Sequence, residues 1–142
     1  MKRKTVFALA LLLLCTAVIT AAANTPEKRT LRLFNRYRET LESEIAACLE
    51  TGQIGSELPL TFNYWDGEHP VVEYIAAGQG LAPSSRYYGF FYSFDGTPVS
   101  FQNAGAPLTE TSEETWTWRG EGDNRGLVRR LDGKWFYFEA EL

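Results

Sequence analysis

Few residues in this chain carry side chains suited to bond-making, and their spacing limits what they can do. His69 is the single histidine. Together with Asp66 and Ser84 or Ser85 it supplies the residue types of a hydrolase triad, in which imidazole deprotonates a hydroxyl and a carboxylate orients the ring. No G-x-S-x-G turn accompanies them, and a histidine before proline is ordinary in a turn. Glu68 and Glu73 are the residue types of a glycosidase pair, but that chemistry depends on a carboxyl separation that sequence does not encode. Gly120 to Gly126 reads GEGDNRG, which gathers acid and amide oxygens of the kind calcium takes. It lacks the helix–loop–helix spacing of the calcium motif, and a hairpin loop is the simpler reading. One His and two Cys exclude most zinc arrangements. Gly78-Gln79-Gly80 lacks the lysine and following helix of a phosphate loop. No catalytic set, metal or cofactor is expected.

The aromatic residues are the other chemical resource, at 14% of 142 residues. Trp116 and Trp118 lie two apart, as do Trp135 and Tyr137, so on strands each pair shares a face. Tyr88, Phe90, Tyr92 and Phe94 share one face of their strand, with Tyr87 and Phe91 on the other. Trp116, Trp118, Trp135, Tyr137 and Tyr88 are therefore the expected ligand-binding set, an open platform for sugar rings or a peptide. The competing reading covers both faces, one of them by a loop or a second short helix, so that the rings serve as core.

These residues must be positioned by a small number of elements. Residues 26–50 place Leu31, Phe34, Tyr37, Leu41, Ile45, Cys48 and Leu49 at spacings of three and four, which predicts one amphipathic helix. Thr25 caps it, Pro26 opens it and Gly52 ends it. Its first half carries Lys28, Arg29, Arg32, Arg36 and Arg38, and its second Glu39, Glu42, Glu44 and Glu50. This order opposes the helix dipole. Docking against the acidic remainder of the chain is one explanation for it, and a basic patch for an anionic surface is the other.

Beyond residue 58 the apolar period changes to two. Strands are predicted at 60–64, 86–94, 98–102, 114–119, 127–131 and 134–141, with Pro70 to Ala77 read as a short helix, although Val71-Val72 also suits a strand. Asp95-Gly96 and Asp132-Gly133 are hairpin signals. The expected fold class is α+β: a long N-terminal amphipathic helix packed on a curved antiparallel meander of five to six strands, with a possible second short helix.

The N-terminus carries the most specific signal. Lys2, Arg3 and Lys4 precede an uncharged run from Val6 to Ile19, and Ala21, Ala22 and Ala23 follow. This is the layout of a secretory signal peptide cleaved before Asn24. The expected organisation is signal peptide at 1–23 and a single α+β domain at 24–142. Leu14 before Cys15 argues against a lipoprotein. If the segment is kept, the domain becomes surface-associated; otherwise the membrane is met only in transit. Removal of three basic residues from 14 leaves 11 against 18 acidic, a balance of −7. That charge excludes an ordinary nucleic-acid binder. Cys48 is then alone, so the fold must stand on its core without a disulfide.

Ser84-Ser85-Arg86-Tyr87-Tyr88-Gly89-Phe90-Phe91-Tyr92-Ser93, Gly122-Asp123-Asn124 and Trp135-Phe136-Tyr137-Phe138-Glu139 together resemble a group of small exported proteins of unknown function from Gram-positive anaerobes. The resemblance covers the C-terminal part only. It implies export and a compact β-rich body, and it supplies no catalytic residues. The expectation is a secreted, non-catalytic binding or interaction module for an extracellular glycan or peptide. The alternatives are a small extracellular hydrolase, or a membrane-associated accessory protein using residues 28–38.

Overall fold

The computed structural model describes residues 9–10, 24–81 and 84–142; the signal segment otherwise lies outside the described residues. Helix α1 spans Pro26–Thr51. The Thr25 hydroxyl accepts from the Lys28 amide at 3.3 Å, and Gly52, at φ 69°, donates its N–H to the Cys48 carbonyl. The left-handed φ at the C-terminal cap is one that glycine adopts without steric cost. Thr30, Phe34, Leu41 and Ile45 form the buried stripe. Leu49 falls off it and is exposed, while Cys48 is partly buried.

The strands are β1 (Thr61–Trp65), β2 (Val71–Leu81), β3 (Ser84–Ser93), β4 (Leu108–Ser112), β5 (Thr115–Arg119), β6 (Arg125–Asp132) and β7 (Trp135–Glu141). They form one open antiparallel sheet of seven strands in the order β1-β2-β3-β7-β6-β5-β4. The α+β class holds, but the strand count is seven and the path is not a simple meander. Two three-stranded runs, β1-β2-β3 and β4-β5-β6, are joined by β7, which pairs with β3 on one side and β6 on the other.

Three misread segments account for the difference. Residues 71–81 form the second strand, not a short helix: Val71 and Val72 are each 1% exposed on opposite faces, and a strand buries both where a short helix would not. Residues 98–102 form no strand. After Gly96, at φ 82°, the chain leaves the sheet plane. It crosses the sheet as a strap with a single 3-10 turn at Phe101–Asn103 before re-entering at β4, where no strand is predicted from sequence.

The strap explains why both sheet faces are apolar. On one face α1 packs Phe34, Leu41 and Ile45 against Val72, Tyr74, Phe90 and Trp135. On the other, Val99 and Phe101 of the strap join Val71, Phe91, Trp118, Val128, Phe136 and Phe138. Phe101 stacks on Tyr87 at 5.3 Å, and Phe91 on Phe136 at 5.0 Å. The fold is thus three layers: helix, sheet and strap.

A buried carboxylate fastens the strap. Glu73, 2% exposed, accepts from the Gln102 amide at 3.0 Å and from Trp65 Nε1 at 3.3 Å. Gln102 and Asn103 lie at φ 55° and 49°, a costly conformation for residues with a Cβ. The Glu73–Gln102 bond and a bond from Asn103 Nδ2 to the His69 carbonyl at 3.0 Å hold the turn in it.

Candidate binding cleft

The expected aromatic platform is divided by the sheet. Trp116 and Trp118 face the strap, with Trp118 6% exposed. Trp135 and Tyr137 point to the helix face, 3% and 0% exposed, and Tyr88 is buried on that same side. Cross-strand pairing places Trp116 beside Val128 and Trp118 beside Gly126. The five residues therefore form no single open surface, and most of their ring area lies inside the two core layers.

Two of the five, Tyr88 and Trp118, nevertheless line a cleft of about 360 Å³. Strand register explains where it opens. Glu27 in the first turn of α1 pairs with Arg129 of β6 at 2.7 Å, and Arg129 lies beside Tyr137. The next row outward on this face is Leu127, Glu139 and Tyr88, and the row after it is Arg125, Glu141 and Arg86. Thr117 and Arg119 of β5 complete the wall. The cleft is the corner of the helix-side face that lies past the start of the helix.

Its electrostatics come from three arginines and two glutamates. Glu141 accepts from Arg125 at 2.7 Å and from Arg86 at 3.0 Å. These partners, Arg125 first, draw its carboxyl below the ordinary carboxylate range. The Tyr137 hydroxyl donates to Glu139 at 2.7 Å; burial, then Glu139 itself, pushes that phenol far above its usual value, so it stays a donor. Arg119 is exposed and makes no ion pair among the described residues. The cleft offers fixed donors and acceptors beside a tyrosine and a leucine. That equipment suits recognition of a polar ligand.

The residues weighed for catalysis go elsewhere. His69 Nδ1 meets Asp95 at 2.6 Å, not Asp66. Asp95 also accepts from the Ser93 hydroxyl at 2.9 Å and the Thr97 amide at 2.9 Å. Ser93 is thus bonded to the carboxylate and not to the imidazole, and Ser84 and Ser85, the serines weighed from sequence, stand at the opposite end of β3 from it. Asp95 pairs with His69 to hold the root of the strap, raising the imidazole pKa and lowering its own. Glu73 is committed to Gln102 and Trp65. The Gly120–Gly126 loop closes on itself, with the Gly120 amide donating to the Asn124 carbonyl at 2.8 Å. Among the described residues no cluster of three His, Cys, Asp or Glu is placed to hold a metal.

Sequence reasoning missed Arg86, Arg119, Arg125, Glu139 and Glu141 as a group. Arg86 and Glu141 lie 55 residues apart in the chain, and only the β3–β7–β6 pairing brings the group together. An alternating basic and acidic pattern at strand ends was the available signal. Comparison with protein-family models, curated proteins and solved structures finds no match to this chain.

Proposed function

We propose that this is a secreted, non-catalytic binding module, and that the cleft bounded by Tyr88, Arg119, Arg125 and Glu141 takes a polar extracellular ligand, a glycan or a peptide. The carrying observation is the Arg86–Glu141–Arg125 arrangement. One carboxylate orients two guanidinium groups toward a recess that also presents Tyr88 and the exposed Arg119. Preorganised side chains of this kind lose little freedom on binding. Export rests on the Lys2 to Ala23 pattern, and the non-catalytic character on the engagement of His69 and Glu73 in structure.

Titration calorimetry against panels of neutral and acidic oligosaccharides and short peptides tests the reading. Binding that Arg125→Ala weakens by about tenfold or more, in keeping with loss of a charge-assisted bond of about 1.5–3 kcal/mol, supports it. Binding that is indifferent to both Arg119→Ala and Arg125→Ala places the ligand elsewhere and refutes the assignment.

A further inference from the structure

We propose that the outward face of α1 docks the domain on an anionic phospholipid surface. The inference is independent of the cleft. At about 100° per residue, Lys28, Arg29, Arg32 and Arg36 fall within an arc of about 100° on the helix, opposite the stripe of Thr30, Phe34, Leu41 and Ile45 that packs inward. All four are exposed. Docking against the acidic remainder of the chain accounts for Arg38, which pairs with Asp132 of β6 at 2.6 Å, but the other four lie on the helix face turned away from the sheet.

The order is also unfavourable for the helix itself. Cations crowd the positive end of the dipole, and the last turn holds no basic residue. Four of the 11 basic residues that remain after residue 23 are gathered on this ridge, in a chain whose balance there is −7. Glu39, Glu42 and Glu50 occupy the second half of the helix and are exposed. A negatively charged plane would therefore attract the N-terminal half and repel the C-terminal half, so the helix docks tilted with its start downward.

The position of the ridge in the chain favours lipid over a soluble polyanion. Lys28 comes nine residues after Ile19, the end of the apolar run. Nine residues extend at most about 30 Å, so the ridge reaches headgroup level while that run lies in a bilayer. Each Lys or Arg near an anionic leaflet adds a factor of roughly five to the partition coefficient.

Both core layers and the helix cap lie within residues 24–142, so that segment is the unit to assay, its fold checked by circular dichroism. Co-sedimentation with phosphatidylglycerol-rich vesicles should show binding that is absent with phosphatidylcholine alone. It should vanish between about 0.01 and about 1 M salt, over which the screening length falls from about 30 to about 3 Å. Arg29→Gln with Arg36→Gln should lower partitioning about 25- to 30-fold, whereas Glu50→Gln should leave it unchanged or raise it. No preference for the anionic vesicles overturns the proposal, as does equal binding by the double variant. Preferential capture by soluble polyphosphate that vesicles fail to displace overturns the choice of lipid.

Discussion

Replacement of Glu73 by alanine tests the account of the strap most directly. The carboxylate is buried, and its loss leaves the Gln102 amide and Trp65 Nε1 without acceptors, formerly at 3.0 and 3.3 Å. A donor orphaned away from water costs about 1–3 kcal/mol, and both of these bonds are partly buried. Release of a desolvated carboxylate offsets part of this, since burial holds the Glu73 pKa above its ordinary value despite the three bonds that oppose the shift. The net expected loss is about 2–4 kcal/mol, read as a lower urea midpoint by tryptophan fluorescence. The sign of the pH dependence follows from the raised pKa. The stabilisation from Glu73 is fully present below pH 4.5, its ordinary value, and declines as pH rises through the higher folded value. The gap between the native protein and Glu73→Ala should therefore narrow from acid to neutral pH. Hydrogen exchange supplies a local readout, because the Gln102 amide should exchange much faster in the variant. A loss below about 1 kcal/mol, within the range of ordinary surface changes, refutes the reasoning, as does unchanged Gln102 exchange.

The remaining predictions concern other joints. The His69–Asp95 pair should stabilise most between pH 3.8 and 6.5, the ordinary values of its partners. His69 contributes fully below 6.5 and loses that contribution as pH rises through its raised pKa; Asp95 contributes above 3.8 and loses it as pH falls through its depressed one. Thermal melts of His69→Asn should thus differ from the native protein more at pH 5 than at pH 9. Gly126→Ala should fail to fold or lose about 3 kcal/mol or more by denaturant titration, since a Cβ there would lie 2.3 Å from the Glu139 carbonyl and 2.5 Å from the Trp118 ring. Gly89→Ala should behave alike, with the Tyr74 carbonyl 2.1 Å away. Among the described residues Trp118 Nε1 is buried without a partner, so Trp118→Phe should cost less in urea titration than Trp135→Phe, because it removes an orphaned donor along with packing area.

The parts of the fold legible in sequence are those set by local chemistry. Thr25, Pro26 and Gly52 mark the ends of α1, and the period of Phe34, Leu41 and Ile45 marks its inward face. Asp132-Gly133 correctly joins β6 to β7. Asp95-Gly96 carries the same dipeptide and does not make a hairpin, because Asp95 is bonded to His69, Ser93 and Thr97 and the chain departs toward the other layer. That competition is invisible without tertiary contacts. Val71 and Val72 were ambiguous for a related reason: adjacent apolar residues fit a helix edge or a strand buried on both sides, and the strap that buries the second side is itself unreadable. The cleft was less legible still. Tyr88 and Trp118 were singled out as exposed rings, whereas the polar residues that surround them meet only through the pairing of β7 with both halves of the sheet.

That placement of β7 bears on how the molecule comes into being. The ribbons on either side of it make no ladder with each other, so the seam stays open until Trp135–Glu141 is in place. A nascent chain stopped at Lys134 would hold two half-sheets with bare inner margins and no means to join them. Whichever half forms first, the sheet becomes continuous only when β7 seats between β3 and β6.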